Sequence, residues 1–255
     1  MVLLIVVSVP NGFNEMSVHS TGTHPTVFIA GDSTVQTYDD RWKPKAGWGQ
    51  MIPGYFNSDI IFKNYAISGR SSKSFINEGR LDRILSKIEA KDYLLIQFGH
   101  NDAKKHRPDL YTTVPEYKKY LKKYITGARM HGATPILITP MGRREYKEKT
   151  NKFIISFPNY VQGMKEVADE LDVALIDLSS MSVALYDKKG PSGTLSIFLH
   201  TKPGEYKAYP DGVNDDTHFQ EYGAKQMARL VTTGVKKLDN NLSTYVKDLE
   251  YKQSK

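Results

Sequence analysis

The sequence contains no cysteine, only two tryptophans, and no apolar run of the length a bilayer-spanning helix needs. Without cysteine there can be no disulfide, no thiol nucleophile and no thiolate-ligated metal. Also missing are a Gly-x-Ser-x-Gly elbow, a Gly-rich phosphate loop and a His-Glu-x-x-His helix. The seven histidines are dispersed, so no metal and no other cofactor is expected. There is no repeat at solenoid or propeller period and no low-complexity tract. Acidic residues are the minority, 28 against 35 Lys and Arg, for a formal charge of +7. The lysines sit among acids, as at Lys118-Lys119 and Lys236-Lys237, and form no basic stripe, so a nucleic-acid partner is not expected. Such a surplus either keeps the surface solvated or steers the chain toward an acidic polysaccharide.

What is present is an ordinary globular composition over 255 residues, 40% hydrophobic and 25% charged, enough for one α/β domain with a sizeable core. Residues 1–25 are expected to be an N-terminal extension. Val2 to Val9 is apolar apart from Ser8, which fits a leader-like segment or an extra strand and is too short for stable membrane insertion. Residues 26–255 read as the domain itself.

Within it, Thr26–Ala30 is a β-branched apolar run that ends at Gly31-Asp32-Ser33 and reads as a buried strand. Ile60–Tyr65, Tyr93–Phe98, Thr134–Thr139 and Val173–Asp177 are further strand candidates. A helix is expected through Leu81, Ile84, Leu85 and Ile88. Another opens on the Thr113-x-x-Glu116 capping box and stops near Gly132. Tyr160–Leu171 and the stretch after His218, with Ala224, Met227, Ala228, Val231 and Leu238 on one face, complete the alternation. Strands alternating with helices imply a parallel sheet covered on both faces, whose site forms beyond the carboxyl ends of the strands. Ser33, Gly69 and Asn101 all follow predicted strand ends.

Those positions carry compatible chemistry. A serine hydroxyl needs a base to become a nucleophile. His218 suits that role because Asp215, three residues earlier in a turn-rich loop, can fix its tautomer; Asp216 is the competing orienter. The Ser33 and Gly69 N–H groups and the Asn101 amide would hold an oxyanion. Asp32 is expected to tie down its loop. Trp48, in Gly47-Trp48-Gly49-Gln50, would stack on a sugar ring or sit in the core. His100 would line the site or be a packed, hydrogen-bonded histidine, and Arg70 is a further candidate substrate contact. Arg143, beside Arg144, would meet a carboxylated substrate or belong to a solvated pair.

Four ordered segments, Gly31-Asp32-Ser33-Thr34, Ile67-Ser68-Gly69-Arg70, Gly99-His100-Asn101-Asp102 and Asp215-Asp216-Thr217-His218, resemble the blocks of the SGNH (GDSL) hydrolases. The longer strings Ala30–Gln36, Gly47–Gln50, Gly69–Phe75 and Asp216–Ala224 are similar to the rhamnogalacturonan acetylesterases of carbohydrate esterase family 12. The resemblance implies a three-layer α/β/α flavodoxin-like fold with a central five-stranded parallel sheet. It also implies serine-dependent removal of acetyl groups from plant cell-wall poly- or oligosaccharide, rhamnogalacturonan first and xylan second. A lipase-like or thioesterase-like esterase and a non-catalytic saccharide-binding protein are the alternatives. The oligomeric state is left open, as is the compartment, with the cytoplasm favoured over secretion.

Overall fold

A computed structural model of the chain describes residues 24–248. The leader-like or extra-strand segment expected up to residue 25 therefore lies, through residue 23, outside the described residues. The described strands are Thr26–Gly31 (β1), Lys45–Ala46 (β2), Ile61–Asn64 (β3), Tyr93–Gln97 (β4), Thr134–Ile138 (β5), Tyr146–Lys147 (β6), Lys152–Phe153 (β7), Ala174–Ile176 (β8), Phe198–Thr201 (β9) and Val213–Gln220 (β10). The helices are Trp48–Met51 (α1), Ser72–Asn77 (α2), Arg80–Leu85 (α3), Val114–Met130 (α4), Pro158–Leu171 (α5), Leu178–Thr194 (α6) and Glu221–Val235 (α7).

Five strands form one parallel sheet in the order β3-β1-β4-β5-β8. Side chains alternate between its faces with the strand period of two. Val27, Ile29 and Leu95 point to the side packed by Trp48 of α1, Leu178 and Tyr186 of α6, and Met227 and Val231 of α7. Phe28, Ala30, Leu94 and Ile96 point to the side packed by Phe75, Leu81, Tyr124 and Met164 of α2 to α5. This is the expected α/β sandwich, and its order places the topological switch at β1, where the chain turns first to β3 and then back to β4. Crevices for ligands form at such a point, beyond the strand C-termini.

Local sequence accounts for most elements. Thr113 and Glu116 close the capping box at the start of α4, and Gly132 ends the turn after it at φ +71°. The helix expected through Leu81 to Ile88 is divided differently. Gly79, at φ +66°, separates α2 from α3, and the chain leaves helix after Leu85. The final helix stops at Val235, with Leu238 still packed against the core beyond its end.

Beside the short α1 and the β6-β7 pair, two larger features were not expected. Helix α6 runs from Leu178 to Thr194 across a kink at Gly190-Pro191. A second, antiparallel sheet of β2, β10 and β9 lies beside the first. Asp215 and His218 belong to β10 rather than to a turn-rich loop. Asp215 pairs with Leu199 and Phe219 with the adjacent Phe198, so residues 216–218 bulge out of the ladder between them. No helix among the described residues is long and apolar enough to cross a membrane.

Candidate active site

The bulge in β10 is what presents His218. Asp215 Oδ1 accepts the backbone N–H groups of Thr217 (2.8 Å) and His218 (3.0 Å), closing a tight turn that hangs the imidazole over the end of β1. Asp215 Oδ2 lies 2.6 Å from His218 Nδ1, and His218 Nε2 lies 2.8 Å from Ser33 Oγ. A carboxylate can only accept, so Nδ1 carries the proton and Nε2 is free to accept from the serine hydroxyl. Partial burial pushes the Asp215 carboxyl up. The hydrogen bond and charge of His218, with the two backbone donors, more than reverse this and hold it far below the usual carboxylate range. Asp216, the competing orienter, is turned away, with Oδ1 2.8 Å from His200 Nε2 and 3.3 Å from the Arg144 guanidinium.

Ser33 sits two residues past β1 in a loop fixed from below. Asp32, fully buried, accepts from the backbone N–H of Thr34 at 2.9 Å and from its hydroxyl at 2.8 Å, as expected of a loop-tying residue. Burial would raise the Asp32 carboxyl, but His100 and the Thr34 donors together lower it. Tyr38 donates its hydroxyl to the Ser33 carbonyl at 2.8 Å. Behind the loop, Gln97 donates to Thr34 Oγ1 and accepts the Trp48 indole N–H at 2.7 Å.

The Gly69 loop reaches the same place through its neighbours. Ile67 N–H donates to the Gly31 carbonyl, and Ser68 N–H to the Gln36 side chain. The Arg70 carbonyl accepts one Asn101 amide hydrogen at 2.9 Å. Gly69 has φ +77° with open space where a Cβ would stand, so its backbone conformation, not crowding, calls for glycine. Among the described residues, neither the Ser33 N–H nor the Gly69 N–H has a protein acceptor, and the Asn101 amide keeps one hydrogen uncommitted. Uncommitted donors at the Ser33 N–H and the Asn101 amide, in one cleft with the serine hydroxyl, are what a developing oxyanion requires. Below Asn101, buried Asp102 accepts from Ser72 and Thr112 and so anchors the start of α2. Burial pushes its carboxyl up to about 6 against those donors.

Ser33, Asn101, Asp215 and His218 line a common cleft of about 250 Å³, together with His100, Lys104, Arg143, Phe157 and Thr217. Gly69 is not part of that lining. Of the candidate substrate contacts, Trp48 takes its core alternative and His100 its packed one, and Arg70 is corrected. Trp48 is fully buried with its indole N–H bound to Gln97, so its ring face is core and unavailable to a sugar. The Arg70 guanidinium pairs with Glu78 at 3.0 Å and donates to the Ser68 carbonyl, outside the cleft lining. His100 borders the cleft, but its ring nitrogens face Asp32 Oδ2 and the Met141 carbonyl, each at 3.2 Å, so neither is free for substrate. Arg143 does reach the cleft, its Nε donating to Thr217 Oγ1 at 2.8 Å. Lys104, Phe157 and Thr217 were not singled out by sequence. Only Thr217, inside the Asp-x-x-His string, carried a local cue.

Residues 27–231 match the family model described as GDSL-like Lipase/Acylhydrolase. The chain belongs to the GDSL-like lipase/acylhydrolase family. Within that family it is 45% identical over 213 residues to the probable rhamnogalacturonan acetylesterase YesY of Bacillus subtilis, covering 83% of this chain and 93% of that protein. It is 39% identical to the rhamnogalacturonan acetylesterase RhgT of the same organism, over 89% of this chain and 96% of the relative. Among solved structures, the protein YxiM from Bacillus subtilis superposes with TM-score 0.72 at 31% identity, over 84% of this chain and 56% of that one. Axe2, an acetylxylan esterase from Geobacillus stearothermophilus, superposes with TM-score 0.60 at 16% identity, over 84% and 95%, a likeness of fold.

Proposed function

We propose that this GDSL-like hydrolase is a carbohydrate acetylesterase that removes acetyl groups from plant cell-wall polysaccharide or its oligosaccharides, with Ser33, His218 and Asp215 as its catalytic residues. The observation that carries the reading is the unbroken hydrogen-bond chain from Asp215 through His218 to Ser33 inside a cleft. The names of the two Bacillus relatives support an acetylated saccharide substrate. So does the lining of the cleft, in which Phe157 is the large apolar side chain among polar and charged ones.

Ser33 Oγ attacks the acetyl carbonyl carbon and its proton passes to His218 Nε2. The carbonyl oxygen, now negative, is held by the Ser33 and Gly69 N–H groups and the spare Asn101 amide hydrogen. Collapse breaks the bond to the sugar oxygen, which takes the proton from His218 and leaves an acetyl-Ser33. Water then loses a proton to His218 and attacks the acetyl group; acetate departs and Ser33 regains its proton.

Acetate release from acetylated rhamnogalacturonan, acetylated xylan and p-nitrophenyl esters of increasing chain length tests the substrate class. Release favouring acetylated polysaccharide, with activity on the synthetic esters falling steeply beyond acetate, is the expected pattern. Steep preference for long acyl chains would make it a lipase-like enzyme. Tight binding of acetylated saccharide with no acetate released would make it a binding protein.

Asn101→Ala removes one oxyanion donor and should lower kcat by roughly 10² to 10³ with KM little changed. Its other amide hydrogen bonds the Arg70 carbonyl, so some loosening of the Gly69 loop is expected too. A kcat within about threefold of wild type, in steady-state kinetics on p-nitrophenyl acetate, would remove Asn101 from the oxyanion site.

A further inference from the structure

We propose that Arg144 is a positioning residue for His218: it grips the β10 bulge from outside the cleft and so sets how far the imidazole stands from Ser33. The proposal rests on the esterase reading above and goes beyond it, because Arg144 does not line the cleft and takes no part in acyl transfer.

The need for a grip comes from the bulge itself. Asp215 and Phe219 are held in the ladder by Leu199 and Phe198, but residues 216–218 between them stand outside it. Asp215 Oδ1 secures the Thr217 and His218 N–H groups, which leaves the Asp216 carbonyl and carboxylate to other partners. His218 is only partly buried, so packing alone does not fix its ring.

Residues 141–144, which follow β5, supply those partners. The Arg144 N–H donates to the Asp216 carbonyl at 2.9 Å, and its Nη1 lies 3.3 Å from Asp216 Oδ1. His200 Nε2 meets the same oxygen at 2.8 Å. Arg143 adds a second hold, its Nε donating to Thr217 Oγ1 at 2.8 Å. The other two arms of the Arg144 fork run to α6. Nε donates to Thr194 Oγ1 at 3.0 Å and Nη2 to the Pro191 carbonyl at 3.1 Å. A planar guanidinium presents its donors in several fixed directions at once, which the point charge of a lysine cannot do. The kink in α6 thereby gains a use, since Pro191 and Thr194 lie on the short stretch beyond Gly190.

The same segment is tied to the nucleophile. The Met141 carbonyl and Asp32 Oδ2 each lie 3.2 Å from a ring nitrogen of His100, and Asp32 directly precedes Ser33. Between the two ends, the Gly142 N–H donates to Ser182 Oγ and the Gly142 carbonyl accepts the Tyr186 hydroxyl. A Cβ at Gly142 would stand 2.9 Å from Val183 Cγ2, so the segment lies flush on α6 without slack. Residues 141–144 are therefore a bridge from the Ser33 loop to the His218 bulge, and Arg144 is the end that holds the base. An imidazole displaced by about 1 Å would lose its 2.8 Å contact with Ser33 Oγ.

Steady-state kinetics on p-nitrophenyl acetate and acetylated rhamnogalacturonan, paired with melting temperatures, test the clamp. Arg144→Ala should lower kcat roughly ten- to a hundredfold on both substrates and leave KM within about twofold. Added methylguanidine, entering the space the side chain vacates, should restore part of that loss. Thr194→Val removes only the far anchor's hydroxyl and should lower kcat about three- to tenfold, which keeps the test open if Arg144→Ala does not fold. As a control, Lys165→Met breaks the 2.6 Å ion pair to Asp177 at the start of α6 and should lower the melting temperature at unchanged kcat. Wild-type kcat in Thr194→Val, with Arg144→Ala equally active or unfolded, would overturn the clamp and leave the esterase reading intact. So would a loss that falls on KM, or one that Lys165→Met reproduces. No turnover of either substrate by the wild type would overturn the esterase reading and the clamp with it.

Discussion

Ser33→Ala lowers kcat on the order of 10⁶-fold and leaves the protein folded. The size follows from the loss of the proposed nucleophile, an effect of about 8 kcal/mol in the barrier. The fold survives because, among the described residues, the hydroxyl has one hydrogen bond, with His218 Nε2. The other tie at this residue, the Tyr38 hydroxyl on the Ser33 carbonyl, is backbone and outlives the substitution. Thermal unfolding should therefore shift by no more than one net hydrogen bond allows, about 1 kcal/mol. Paired measurements of acetate release and melting temperature check both halves. Near-normal turnover in a folded Ser33→Ala protein would sink the serine mechanism, whereas a collapse of melting temperature would show that the residue holds the loop instead.

Asp215→Asn should cost about 10⁴ in kcat, and the reason is a tautomer. Asp215 Oδ1 accepts two backbone N–H groups, so an asparagine keeps its carbonyl oxygen there and places its NH₂ where Oδ2 faced His218 Nδ1. A donor at that point favours an imidazole with its proton on Nε2. That nitrogen then donates to Ser33 instead of accepting, and the base is lost while the geometry stays. The opposite flip would rescue the tautomer but leave two backbone donors facing an NH₂ group. Asp215→Glu, which keeps the charge and lengthens the arm, should recover part of the loss only if the bulge can widen. Turnover by Asp215→Asn within about tenfold of wild type would remove Asp215 as the orienter, and Asp216, now held by His200 and Arg144, would have to be reconsidered.

Much of this arrangement could be read from the residues. β1 was legible because an uninterrupted β-branched run buried on both faces can only be an interior strand, and α4 because Thr113 and Glu116 announce its start. The parallel sheet followed from alternation, and with it the meeting of the Ser33, Gly69 and Asn101 strand ends. Helix α6 was not legible, since Gly190-Pro191 interrupts it and its apolar residues keep no helical period. The small antiparallel sheet was hidden for a related reason. β2 has two residues, and β10 reads Asn-Asp-Asp-Thr-His through its middle, a polar string that looks like a loop until β9 supplies the partner. Trp48 shows the limit of composition, because an indole between glycines reads the same on a sugar as in a core, and only the position of Gln97 decides it. Lys104 and Phe157 left no trace either. Which side chains come to border the cleft is settled by the tertiary structure.

The separation of Ser33 from His218, 185 residues along the chain, has a consequence for biosynthesis. Domains emerge from the ribosome N-terminal end first. On the proposed assignment, the nucleophile and the oxyanion donors are therefore made while the base is still unsynthesised, and they would stay inert until β10 has been translated and has docked between β2 and β9. On that assignment a growing chain of this enzyme would not cleave esters around it, and the onset of hydrolysis would mark the docking of β10.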